Sequence, residues 1–136
     1  MTASGTAERF VFVYGTLRRG ASNDIARRHP EARYVASAKI PATLYDLGAY
    51  PGAVLHGSSG EANRLVRGEI YRITDEIERA LDVLEEVAED GSGEYLKRGV
   101  DVGTASAVYS CLVYEINSSR IGAKAVIASG DWFVRG

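Results

Sequence analysis

Phe10-Val11-Phe12-Val13-Tyr14-Gly15 is a continuous apolar and aromatic run brought to a stop by glycine. A strand with one wet face alternates apolar and polar residues; this one does not, and it reads as a strand buried on both faces. The glycine allows the backbone N–H groups of the following turn to point outward as a nest for a carboxylate. Arg18 and Arg19 would add positive potential at the same place. By spacing alone, the same residues also fit a strand end with a tight turn and two solvated arginines.

Working outward, residues 1–8 are small and polar and read as a flexible N-terminus. Residues 22–29 fit a short helix capped by Ser22 or Asn23 and ended by Pro30. Residues 34–40 and 42–47 read as two short strands with Pro41 at the bend between them. Turn chemistry over 48–52 leads into a short strand at 53–56 and an exposed loop over 56–60. After a glycine-containing strand at 66–73 the period changes. From 75 to 89 apolar residues fall at Ile77, Ala80, Leu81, Leu84, Val87 and Ala88, which predicts an amphipathic helix opened by an Asp75/Glu78 capping box. A polar, glycine-rich stretch closes it, and strands follow at 95–102 and 107–116.

Many short strands around one strong helix argue for an α+β fold: a small mixed β-barrel or curled sheet with one main amphipathic helix and a short helix. A chain of 136 residues fits a single domain, placed here at 9–136. That length buries enough surface to fold without disulfides or metal. The net charge of −2 offers no general footprint for nucleic acid or an anionic membrane, so any anion site must be local. No apolar run approaches the ~20 residues of a membrane helix, and residues 1–10 do not look like a secretory signal. With a lone cysteine, Cys111, the expected location is cytoplasmic.

Phosphate-loop, dinucleotide and metal-binding motifs are absent. His29 and His56 fall in different elements without ligand spacing, and Cys111 in an apolar strand reads as core. The helix is more informative. Glu85 falls roughly 90° from the centre of the apolar stripe, and Glu86 roughly 170° away in solvent. A carboxyl at the margin of a core can reach a cavity, lose water and have its pKa raised into the working range. Glu76 flanks the stripe equally closely on the other side, so helical geometry leaves both acids open.

Three marks in order, Tyr14-Gly15-Thr16-Leu17, Leu81-Asp82-Val83-Leu84-Glu85 and Gly130-Asp131-Trp132, resemble the gamma-glutamyl cyclotransferase superfamily, in the branch of short proteins containing gamma-glutamylamine cyclotransferase. Tyr50-Pro51-Gly52 and the strand begun by Tyr95 add to the likeness, which spans about residues 10–133. The resemblance implies that Glu85 is the catalytic acid/base and that Tyr14, Gly15, Thr16 and Leu17 form the substrate-binding loop. It implies a small-molecule gamma-glutamyl substrate that cyclises to 5-oxoproline with release of an amine, without metal or organic cofactor. Two alternatives share the fold: a pathway-specific cyclotransferase that removes a gamma-glutamyl protecting group, and a non-catalytic small-molecule binding module. The chain departs from many relatives in carrying Glu86 where they have glycine, and in a longer, more acidic 87–94 loop.

Overall fold

A computed structural model describes residues 9–56, 64–88 and 92–134. The expected flexible N-terminus lies outside the described residues, as do most of the loop after His56 and position 89 of the expected helix.

The elements run β1 (Arg9–Val13), α1 (Ile25–Arg28), β2 (Arg33–Asp46), β3 (Pro51–Leu55), β4 (Leu65–Ile73), α2 (Asp75–Leu84), β5 (Tyr95–Gly103), β6 (Val108–Ile116) and β7 (Ala125–Val126). The strands form one curled mixed sheet in the order β3-β2-β4-β1-β6-β5, with β7 on β2. β1 lies at its centre, antiparallel to β4 and parallel to β6, with Phe10 opposite Cys111. Its continuous apolar sequence is thereby explained. Phe12 and Tyr14 face one core with Ile70, Val113 and Trp132. Val11 and Val13 face a second core, completed by Ile77 and Leu81 of α2. Each such side chain removed from water contributes about 1.5–3 kcal/mol.

Three expectations change. The two strands predicted around Pro41 are one 14-residue strand, β2. Pro41 marks a change of partner instead of a break: residues before it pair with β4, and those from Ala42 onward pair with β3. Lacking an N–H, Pro41 still uses its carbonyl, which accepts from His56 N at 3.2 Å. The short helix is capped by Asp24, not by Ser22 or Asn23. The charged Asp24 carboxylate accepts N–H bonds from Ala26 at 3.0 Å, Arg27 at 3.4 Å and Gly20 at 2.8 Å, more than a neutral cap can offer.

The main helix is also shorter than its apolar pattern. Thr74, not Asp75, is the N-cap, its hydroxyl accepting from Ile77 N at 3.2 Å. At the other end Glu86 N bonds Val83 O at 3.1 Å and Val87 N bonds Asp82 O at 3.0 Å. Those two bonds are a Schellman closure. It stops the helix after Leu84, and Val87 instead bridges Tyr95.

Candidate active site

A cavity of about 360 Å³ opens between the end of β1, the start of β3 and the end of α2. Tyr14, Gly15, Thr16 and Leu17 line one side, and Glu85 lines another. Glu76 is exposed on the first turn of α2 and does not line it.

Tertiary packing dictates the conformation of the Tyr14 turn. Tyr14 Oη donates to Tyr114 O at 2.5 Å and accepts from Ala53 N at 3.1 Å, tying β1 to β6 and β3. Burial pushes that phenol far above its ordinary value, so it stays neutral. Gly15 is required by close approach, not by a left-handed backbone: a Cβ there would stand 2.6 Å from Pro51 Cγ. Thr16 and Leu17 carbonyls accept from Asn23 N at 2.8 Å and Ile25 N at 2.9 Å. The N–H groups of Gly15, Thr16 and Leu17 have no acceptor among the described residues. Three donors without partners beside a cavity fit an anionic ligand group.

Arg18 and Arg19 do not add potential to this cavity, contrary to expectation. Glu69 on β4 is only 7% exposed, and a buried carboxylate requires partners. Arg18 Nε reaches it at 3.2 Å and Arg19 N at 2.9 Å. Arg18 Nη1 also bonds Asp131 at 2.8 Å, and its guanidinium covers the Phe133 ring at 4.3 Å. Gly130-Asp131-Trp132 is thus a structural anchor. Gly130 takes φ 70° and leaves no room for a Cβ, which would stand 1.9 Å from Leu65 O. Asp131 holds the exit of the turn, and Trp132 fills the core.

Glu85 is the C-cap of α2, its N–H bonded to Leu81 O at 2.8 Å. Its carboxylate accepts no hydrogen bond among the described residues. Burial first, and the negative charge of Glu94 second, raise its pKa from about 4.5 to about 7. Glu86, next in sequence, takes φ 52°, a left-handed conformation in which glycine is the least strained residue. A glycine at this position would serve the helix closure.

A family model described as Gamma-glutamyl cyclotransferase, AIG2-like, matches residues 11–134. The chain belongs to this family. A Vibrio cholerae protein named as a candidate gamma-glutamylcyclotransferase is 35% identical over 130 residues, 94% of this chain and 98% of that protein. A Niallia circulans protein named gamma-L-glutamyl-butirosin B gamma-glutamyl cyclotransferase is 40% identical over 78 residues, 56% of this chain but 45% of its own length. The Bacillus subtilis protein YkqA matches in structure with a TM-score of 0.69 and 24% identity, over 92% of this chain and 39% of that one. At that identity the likeness shows the fold.

Within this gamma-glutamyl cyclotransferase frame, several cavity residues had no role assigned from sequence. Tyr95 Oη donates to Pro51 O at 2.6 Å, fixing the β3 entry that crowds Gly15. Tyr114 Oη donates to Asp82 at 2.7 Å, tying β6 to α2. Tyr50 donates to Glu94, and both stand at the cavity rim. Tyr50 and Tyr95 were visible as parts of the familiar pattern; Glu94 and Tyr114 gave no local signal. Neither histidine lines the cavity. His29 caps α1, and His56 Nε2 meets Thr43 Oγ1 at 2.6 Å. Burial pushes the Cys111 thiol up to about 12, which makes it unreactive.

Proposed function

We propose that this chain is a gamma-glutamyl(amine) cyclotransferase with Glu85 as its acid/base. One observation carries the reading: the carboxyl of Glu85 and the N–H groups of Gly15, Thr16 and Leu17, none of them hydrogen-bonded among the described residues, border the same cavity. In this reading the N–H groups grip the substrate α-carboxylate, and the Tyr14 ring forms a wall. The Tyr14 hydroxyl, already donating and accepting, takes no part in proton transfer.

The α-amine nitrogen bonds to the γ-carbonyl carbon, and the bond from that carbon to the leaving nitrogen breaks. Nucleophile and electrophile belong to one molecule, so holding it folded supplies most of the proximity. Glu85 takes the proton from the attacking amine and returns it to the leaving nitrogen. A carboxyl with a pKa near 7 suits both transfers at neutral pH. The products are 5-oxoproline and a free amine.

The test is incubation with gamma-glutamyl amino acids, gamma-glutamyl-lysine and glutathione, with mass spectrometry for 5-oxoproline. Release of 5-oxoproline supports the reading. Binding without release would instead make the chain a non-catalytic module. The likeness to the Niallia circulans protein favours a second reading, removal of a gamma-glutamyl protecting group in a biosynthetic pathway. It predicts the same chemistry with a narrow preference for one elaborate amine.

A further inference from the structure

Two acidic residues are almost fully buried, Asp24 and Glu69, each 7% exposed. Asp24 is accounted for as the cap of α1. Glu69 has no part in the reaction proposed above, and a buried carboxylate is costly unless it is well partnered. Its place is set by the last rung of the central ladder, where it stands opposite Val13, the final residue of β1. Gly68 beside it lets β4 come close, since a Cβ there would stand 2.3 Å from Val13 O. Beyond Val13 the chain enters the Tyr14 turn, which Arg18 N closes on Gly15 O at 3.0 Å. The exit of that turn returns to the same side chain. Glu69 Oε1 accepts from Arg19 N at 2.9 Å and from Tyr71 Oη at 3.4 Å, and Oε2 accepts from Arg18 Nε at 3.2 Å. One residue therefore meets the chain at both ends of the turn. It does not line the cavity, so it can act on a ligand only through the turn.

We infer that Glu69 is a positioning residue for recognition of the substrate α-carboxylate: by holding the exit of the turn at Arg18 and Arg19, it keeps the N–H groups of Gly15, Thr16 and Leu17 oriented as an anion nest. The inference rests on the proposed function, in which those N–H groups grip that carboxylate. Hydrogen bonds weaken steeply as their angle closes, so a turn free to rotate grips an anion poorly. The entry of the turn is fixed without Glu69, by the bonds of Tyr14 Oη and by Pro51 against Gly15. The exit depends on it. Loss of Glu69 loosens the carboxylate grip while leaving Glu85, which α2 carries, in place.

The test uses the gamma-glutamyl compound that gives most 5-oxoproline in the assay above, and its counterpart with the glutamyl α-carboxyl replaced by a carboxamide. Both are followed by release of the amine. Hydrogen bonds to a charged group are worth roughly 10–100-fold, so the native protein should favour the acid by about that factor in kcat/KM. Glu69→Ala should bring the ratio to within about threefold of one, chiefly by raising KM for the acid. Glu69→Gln keeps an acceptor for one of the two exit bonds, and its ratio should fall in between. Val102→Ala truncates the core at the far end of β5 from Tyr95 and should lower stability without moving the ratio. Equal slowing of acid and carboxamide in Glu69→Ala would overturn the inference, as would a ratio that Val102→Ala shifts just as far. If Glu69→Ala does not fold, Glu69→Gln decides, and a native ratio in that variant overturns the inference while cyclotransferase activity stands. No 5-oxoproline from the native protein would overturn the parent reading and this inference with it.

Discussion

The two walls of the cavity are built on opposite principles. The Tyr14 turn is held from several directions: by the bonds of the Tyr14 hydroxyl to β6 and β3, by Pro51 against Gly15, and by Arg18 between Glu69 and Asp131. The wall where α2 ends carries a carboxyl without a hydrogen bond among the described residues and, next to it, a left-handed glutamate. One wall is tied down from several sides, and only its turn N–H groups lack an acceptor among the described residues. The other bears a group that, with a pKa near 7, gains or loses its proton at little cost near neutral pH. Such a division suits a site that must hold a substrate in one fold while moving a proton.

The contrast is broken most severely at Glu85. Glu85→Gln keeps the shape but removes the titrating group, and 5-oxoproline release should fall by about 10²–10⁴-fold. A variant with near-native turnover would take Glu85 out of the chemistry.

The same substitution should act oppositely on stability. The folded pKa of Glu85 is near 7 against an ordinary 4.5. The folded chain therefore binds the extra proton, and this contribution is present below pH ~4.5 and lost as pH rises through about 7. Urea melts should show Glu85→Gln more stable than the native chain at pH 8, by about 1–3 kcal/mol, with the gain gone near pH 4.5. An equal gain at both pH values would mean that charge is not its source.

On the tied-down wall, Gly15→Val should drive a side chain into Pro51, costing about 1–3 kcal/mol of stability and raising KM. Unchanged melting and kinetics would show that Pro51 yields freely. A smaller effect is expected from Glu94→Gln, which removes the charge that helps to hold the Glu85 proton. The acid limb of the kcat/KM profile should then move to lower pH by roughly half a unit. A profile that stays in place would assign the whole rise to burial. Smallest of all, Glu86→Gly should relieve the left-handed backbone and stabilise the chain by about 0.5–1 kcal/mol in thermal melts.

The curled mixed sheet and the single strong helix were legible because β1 has no polar face and α2 has an apolar stripe; both patterns are local. The helix end was misread because Val87 and Ala88 continue the apolar pattern past the point where the chain turns. Both are only half-buried, Val87 through its bridge to Tyr95 and Ala88 through the approach of Gly93, where a Cβ would stand 2.7 Å from Ala88 N. The two arginines after the turn leave the cavity for partners distant in sequence: the Arg18 guanidinium goes to Glu69 and Asp131, and that of Arg19 lies over the Tyr34 ring.

The amino-acid order alone determined which elements form, and through family likeness it distinguished Glu85 from Glu76. Those choices depend on residue type and short-range spacing, which the chain carries locally. Only the tertiary structure decided why Gly15 must be glycine, where Arg18 goes, and what sets the proton affinity of residue 85. Each depends on a neighbour brought close by folding, Pro51, Glu69 or Glu94, and on the water that packing removes.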